Sequence, residues 1–318
     1  MFAKTLFTLS TILPLVLSAP LFGFGDDDEN NTPGTSISVQ DVESKHLRSA
    51  QFTRVAYCSS AAVTSWQCGP PCDVIGKGVK VIQAGGDDGL IPMYFVANDP
   101  ADNSIIVAHQ GTNPTHVLSI VNDIKFLPKD LNATRFASLK GKGLKVHDGF
   151  QQTFERTADG VLSAVKQGMA DFKTNKVRVA GHSLGAAIAV LDSVMLKQEL
   201  GDSIDLQTSV FGMPRTGNQE FADFVDSTLG DTFVRITNQN DPVPRLPPRD
   251  PFGFQHTSGE IHIKSVDDAG QATELLACPG QENENCADGN NPLSLTGIPN
   301  HLGPYFDDIS FSELACPA

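Results

Sequence analysis

The chain has 318 residues and a formal net charge of −14, from 23 Lys and Arg against 37 Asp and Glu. Hydrophobic residues make up 40% and charged residues 19%, a globular composition that excludes wholesale disorder. The acidic balance excludes a nucleic-acid binder, which needs a basic face to displace counterions, and broad electrostatic attachment to anionic lipid.

Residues 1–19, MFAKTLFTLSTILPLVLSA, read as a secretory signal: Lys4 gives the positive start, an apolar run follows, and Ser18-Ala19 supply small residues for cleavage. Pro14 interrupts a run shorter than the ~20 residues a membrane span needs, so no transmembrane anchor is predicted. Residues 20–40, with the acidic run Asp26-Asp27-Asp28-Glu29, read as a leader or pro-segment outside the fold. From 41 to 318 no linker divides the chain, and a single secreted, extracellular domain is predicted. Secretion makes the six cysteines oxidisable. Closing short loops favours Cys68–Cys72 and Cys278–Cys286, which leaves Cys58 to pair with Cys316. The competing reading, a zinc site, lacks a suitably spaced histidine, and no metal is predicted. Asn30 and Asn132 head glycosylation sequons.

Pro92–Ala97 and Ser104–Gln110 read as strands. Gly149–Phe172 places Phe150, Phe154, Val161, Val165, Met169 and Phe172 at mostly helical spacing, and predicts one amphipathic helix. Lys176–Ala180 is a β-branched strand, and Leu184–Leu200, rich in Ala and Leu, a buried helix. Leu206–Phe211, Thr232–Asn238 and Glu260–Ile263 are further strands, with a helix at Gln219–Leu229. Strands alternating with helices predict one α/β domain around a mostly parallel sheet with helices on both faces. Pro242–Pro251 cannot be a regular element; it reads as a rigid surface loop rather than a proline-rich recognition ligand.

Gly181-His182-Ser183-Leu184-Gly185 is a G-x-S-x-G motif, with a strand entering it and an Ala-rich helix leaving it. That setting puts Ser183 in a strained turn with its hydroxyl exposed, the glycines removing side chains that would clash. The N–H of Leu184, at the helix start, would then face a developing oxyanion. A serine nucleophile needs a base, and in this architecture the acid and then the histidine follow it in the chain. Asp241 follows a strand and precedes a proline that fixes its turn. His256, His262 and His301 all lie downstream; His262 alternates within a strand, and chain order favours His301 over His256 without deciding between them. Thr112, after the strand ending at Gln110, could offer its N–H and hydroxyl to the oxyanion. Behind it, Val117, Leu118, Ile120, Val121 and Ile124 form the apolar side of a short amphipathic helix, which reads as a lid or as a packed surface helix.

Several segments together resemble the secreted fungal class 3 lipases, an α/β-hydrolase family that includes feruloyl esterases. They are Val107-Ala108-His109-Gln110-Gly111-Thr112, Val146-His147-Asp148-Gly149-Phe150, Val179 to Ala186, Asn240 to Pro248 and His301-Leu302-Gly303-Pro304-Tyr305-Phe306. The resemblance covers most of the chain after about residue 50. It implies an α/β-hydrolase fold with a helical lid, Ser183 as nucleophile, Asp241 as acid, His301 as base, and Thr112 and Leu184 as oxyanion donors. It also implies the Cys58–Cys316 and Cys68–Cys72 bridges. Gln110 stands where many members have Arg, and the segment holding Cys278 and Cys286 has no match. The implied activity is hydrolysis of lipid esters at an oil–water interface, foremost triacylglycerols, by a monomer without metal or organic cofactor. The alternatives are a feruloyl or other plant-polymer esterase and a non-catalytic secreted binding protein.

Overall fold

The computed structural model describes residues 31–86, 90–112, 127–291, 295–313 and 316. The expected signal segment, the Asn30 sequon and the expected lid residues Val117, Leu118, Ile120, Val121 and Ile124 lie outside the described residues. In chain order the strands are β1 (Thr35–Ile37), β2 (Lys80–Gly85), β3 (Tyr94–Asp99), β4 (Ser104–His109), β5 (Pro128–Asp130), β6 (Lys145–His147) and β7 (Lys176–His182). They continue with β8 (Asp205–Phe211), β9 (Gly217–Asn218), β10 (Phe233–Asn238), β11 (Phe254–Gln255), β12 (Glu260–Val266) and β13 (Ala272–Cys278).

The main sheet has the order β1-β13-β12-β10-β8-β7-β4-β3-β2. Its middle is parallel, from β4 through β7, β8 and β10 to β12. Each edge adds two antiparallel strands, β3 and β2 on one side, β13 and β1 on the other. The strands β3, β4 and β10 are buried at every position, covered on both faces. The period-2 alternation of side chains sorts them into separate cores. Val96, Val107 and Val179 pack with the helices Ala158–Phe172 and Leu184–Leu200. Phe95, Ala97, Ile106 and Ala108 pack on the other face against Phe52 and Val55 of the helix Val39–Val55. A third cluster joins Phe211, Ile236 and Ile263 to Tyr305, Phe306 and Phe311 of the C-terminal segment. Beside this sheet lies a small one, β11-β9-β6-β5.

The structure changes four expectations. Thr35–Ile37, inside the segment expected to lie outside the fold, pairs with Leu275–Ala277 of β13, and Thr32 O accepts from Asn283 Nδ2. The single helix expected over Gly149–Phe172 is two, Asp148–Glu155 and Ala158–Phe172. The break falls at Thr157, whose N–H and hydroxyl both bond back to Phe154 O, so the first ladder stops there. The helix Val39–Val55 and strand β13 are additions to the predicted set. Three disulfides close the chain on itself: Cys58–Cys316, Cys68–Cys72 and Cys278–Cys286. The first joins residues 258 apart, tying the end of the first long helix to the C-terminal segment.

Candidate active site

The site lies at the C-terminal ends of β4, β7, β8 and β10, where the crossover connections of a parallel sheet leave a crevice. Ser183 separates β7 from the helix Leu184–Leu200, with φ 57° and ψ −125°. This is a costly backbone conformation for a residue with a side chain, and the surrounding glycines allow it. A Cβ on Gly181 would stand 2.3 Å from Gly185 O, and one on Gly185 2.4 Å from Gln110 O. Only bare backbone fits on both sides of the turn.

Three side chains from distant parts of the chain meet there. His301 Nε2 lies 2.8 Å from Ser183 Oγ, and His301 Nδ1 lies 2.8 Å from Asp241 Oδ2. The second oxygen, Asp241 Oδ1, accepts the N–H of Val243 at 2.8 Å. Asp241 and His301 are fully buried and Ser183 nearly so. A carboxylate held by a backbone donor on one oxygen presents the other to the imidazole in one orientation, and so fixes the proton on Nδ1. Gly212, left-handed at φ 54°, gives the imidazole room: a Cβ there would stand 2.9 Å from His301 Cε1.

The other two histidines are occupied elsewhere. His256 Nε2 donates to Pro244 O at 2.7 Å, and His262 Nδ1 meets Thr237 Oγ1 at 2.9 Å. Burial holds both imidazoles below their ordinary pKa.

The loop after β4 reaches Ser183 from the side. A Cβ on Gly111 would stand 2.8 Å from Ser183 Cβ, so the loop backbone passes directly against the serine, and Thr112 is the next residue along it. Thr112 Oγ1 is buried and has no hydrogen-bond partner among the described residues. Leu184 opens its helix, where the first N–H groups have no partner within the helix. Gln110 pins the start of the loop to the chain before β3. Its N–H donates to Met93 O at 2.8 Å, and its Oε1 accepts Met93 N–H at 2.9 Å. Behind it, His109 Nε2 lies 2.6 Å from Asp192 Oδ2 of the helix Leu184–Leu200, both side chains buried.

An apolar cleft of about 220 Å³ opens at Ser183 between Phe150, Leu184, Pro214, Val243, Leu246 and Pro247. Its far wall is the Pro242–Pro251 segment, a short helical turn at Val243–Arg245 followed by irregular chain. Arg215 anchors this wall by donating to Arg245 O at 2.5 Å and to Pro247 O at 3.1 Å. The same guanidinium forks onto Glu282 at 2.7 and 2.9 Å. Glu282 belongs to the Cys278–Cys286 loop, so this segment without a family match braces the cleft from behind. A larger cleft of about 680 Å³, lined by Ile37, Val42, Lys45 and His46, contains none of the residues around Ser183. Asn132 is half-buried, its Nδ2 donating to Glu155 Oε1 at 2.9 Å.

Sequence reasoning missed Tyr57, whose hydroxyl lies 2.5 Å from His182 Nδ1, and Tyr305, whose hydroxyl donates to His301 O at 3.1 Å. No local pattern marks Tyr57, whose partner lies 125 residues away; Tyr305 sits only four residues after its partner, within the segment His301 to Phe306, but spacing alone gives its hydroxyl no role.

Residues 106–250 match the family profile described as lipase (class 3). The chain is 38% identical over 235 residues to the secreted mono- and diacylglycerol lipase MDL3 of Malassezia globosa, covering 73% of each chain. It is 34% identical over 283 residues to MDL5 of the same organism, named likewise, covering 89% of this chain and 84% of that one. Among solved structures, lipase II from Rhizopus niveus superposes with a TM-score of 0.73 at 27% identity, over 87% of this chain and 98% of the other. No helix among the described residues is long and apolar enough to cross a membrane. This chain belongs to the class 3 lipase family and is a carboxylic ester hydrolase of α/β-hydrolase fold.

Proposed function

We propose that the protein is a secreted acylglycerol lipase in which Ser183, His301 and Asp241 form the catalytic triad and Leu184 and Thr112 the oxyanion hole. The observation that carries this reading is the unbroken chain of contacts from Ser183 Oγ through both nitrogens of His301 to Asp241, at 2.8 Å each. His301 Nε2 takes the Ser183 proton as Oγ attacks the ester carbonyl. The negative charge that develops on the carbonyl oxygen is met by the N–H of Leu184 and by the N–H and hydroxyl of Thr112. The tetrahedral intermediate collapses, the alcohol leaves with the proton from His301, and the acyl group stays on Ser183. Water, deprotonated by His301, then attacks the acyl-enzyme and releases the acid. Asp241 stabilises the imidazolium and keeps its orientation throughout.

The cleft beside Ser183 is mostly apolar on its described walls, with His147 and Thr153 the polar exceptions besides Ser183, which suits a hydrocarbon acyl chain. Relatives named for mono- and diacylglycerol hydrolysis favour partial glycerides as substrates beside the triacylglycerols. The functional unit is one domain acting as a monomer. It starts before residue 41, because β1 is part of its sheet. The sequon at Asn132 is the candidate glycosylation site; a glycan on its Nδ2 leaves one N–H for Glu155.

The test is a substrate panel on purified protein: emulsions of tri- and dioctanoin, dispersed monooctanoin, and methyl ferulate. Hydrolysis of the glycerides with little on ferulate is expected; ferulate activity alone would make the protein a plant-polymer esterase. An alkyl fluorophosphonate should label the wild type and not Ser183→Ala, and equal labelling of both would remove Ser183 from its role.

A further inference from the structure

Directly behind the triad is a second buried chain of polar groups. Gly111 N–H donates to Tyr57 Oη at 3.2 Å, Tyr57 Oη lies 2.5 Å from His182 Nδ1, and His182 Nε2 lies 2.8 Å from His301 O. The directions follow from the groups themselves. A carbonyl only accepts, so His182 Nε2 carries a proton. Burial first, and then the neighbouring His301, hold the His182 imidazole well below its ordinary pKa, so it is neutral and Nδ1 is an acceptor. The Tyr57 hydroxyl therefore donates to Nδ1, and its oxygen is left to accept from Gly111.

The two ends of this chain are the argument. Gly111 lies against Ser183 and directly precedes Thr112, the proposed oxyanion donor. His301 lies in Ile298–Leu302, a helix of 5 residues. A helix that short is marginal by itself, and its last carbonyls have no partner within it. Side chains hold them instead: His182 and Tyr305 both donate to His301 O, and Asn238 Nδ2 donates to Asn300 O at 2.9 Å. Phe311 stacks on His182 with centroids 4.5 Å apart, which keeps the ring from swinging away.

We propose that His182 and Tyr57 are positioning residues, which set the oxyanion loop and the main chain carrying His301 at a fixed separation around Ser183. The proposal rests on the triad assigned above. It treats the histidine of the G-H-S-L-G turn as a spacer between the two groups that act on opposite ends of the reaction: the proton acceptor and the oxyanion donor. Neither residue touches substrate. Their removal loosens a geometry needed only in the transition state, so the loss falls on kcat and leaves substrate binding in place.

Three variants, Tyr57→Phe, His182→Asn and His182→Gln, test this with soluble p-nitrophenyl butyrate. Tyr57→Phe keeps the ring and deletes one hydroxyl, leaving two buried groups unsatisfied; kcat falls about tenfold with KM within about twofold. An Asn amide can reach the place of Nδ1 but cannot donate from the place of Nε2, whereas a Gln amide can. His182→Asn therefore loses about 10–100-fold in kcat, and His182→Gln is about tenfold faster than His182→Asn. Three results would each overturn the proposal: His182→Gln no faster than His182→Asn, a Tyr57→Phe loss that sits in KM, or wild-type kcat in all three. If His182→Asn does not fold, Tyr57→Phe and His182→Gln carry the decision alone. Fluorophosphonate labelling of wild type against Ser183→Ala separates the two levels. A wild type that labels while the variants keep its kcat removes the positioning role, and a wild type that does not label removes the triad.

Discussion

Asp241→Asn changes no volume and no packing, yet the structure predicts that it disables the enzyme. The wild-type carboxylate accepts two hydrogen bonds, from Val243 N–H on Oδ1 and from His301 Nδ1–H on Oδ2. An amide offers one acceptor and one donor. With the amide oxygen toward Val243, the NH₂ faces His301 Nδ1, which must then be the unprotonated nitrogen. The imidazole proton moves to Nε2 and points at Ser183 Oγ, where it blocks the proton transfer that attack requires. The flipped amide would restore the tautomer only by setting NH₂ against the buried Val243 N–H, a loss of about 1–3 kcal/mol. The wrong tautomer therefore dominates, and kcat falls by about 10⁴, equivalent to about 5.4 kcal/mol in the barrier. Initial rates on p-nitrophenyl butyrate, with circular dichroism to show the fold intact, measure this directly. A loss smaller than tenfold in a folded variant would show that Asp241 does not govern the proton on His301, and the assignment of the acid would fall with it.

Gly185→Ala sets a methyl 2.4 Å from Gln110 O and 2.6 Å from His109 O, both backbone atoms. The loop after β4 must move, at a cost of about 1–3 kcal/mol; a lowered melting temperature and slower fluorophosphonate labelling are expected together, and a normal labelling rate would refute the close approach. Arg215→Met strips the guanidinium from buried Glu282 and should destabilise the protein by about 3–5 kcal/mol at neutral pH. In the wild type, burial pushes the Glu282 carboxyl up, but Arg215 outweighs it and holds the pKa at about 2, below its ordinary 4.5. The unfolded state therefore binds the proton first, and the pair's contribution is present above pH 4.5 and lost as pH falls toward 2. Urea unfolding at pH 7, 4 and 3 should show the gap between wild type and Arg215→Met closing with acidity; a constant gap would mean the ion pair is not its source. Replacing both Cys58 and Cys316 by serine opens a loop of 258 residues and should lower unfolding free energy by about 2–5 kcal/mol in urea titrations.

The middle of the fold was legible because its signals are local. Strand β7, the turn at Ser183 and the helix Leu184–Leu200 follow one another without a gap, so alternation, glycine spacing and an Ala-rich run read as one unit. The helix Val39–Val55 gave no such signal. Its buried positions are few and include Thr53 and Ala50, and it is tied down by distant partners: Arg48 forks onto Asp99, and His46 bonds Ser209. Strand β13 hides for a related reason. It pairs with β1 on one side and with β12 through register shifts on the other, so its burial follows no simple period. In the stretch read as one helix, the 3.6-residue pattern runs on through Thr157, whose hydroxyl bond to Phe154 O ends the first helix without disturbing the apolar face.

The same distinction divides the site. Ser183 announces itself, and Asp241 follows a strand where a carboxylate on a turn is expected, but spacing left His301 and His256 open. What separates them physically is what each nitrogen meets: His256 donates to Pro244 O, whereas both nitrogens of His301 are engaged by Asp241 and Ser183. Such a difference belongs to three-dimensional contacts, and only the family resemblance made it visible in one dimension. Tyr57 is further out of reach, since it meets His182 across 125 residues of chain. Groups that perform chemistry carry motifs because the chemistry constrains their neighbours in sequence. Groups that hold those neighbours apart need only a donor at the right point in space, and any part of the chain can supply it. The residues around a triad that sequence fails to reveal are therefore expected to be of the second kind, and Tyr57 fits that description.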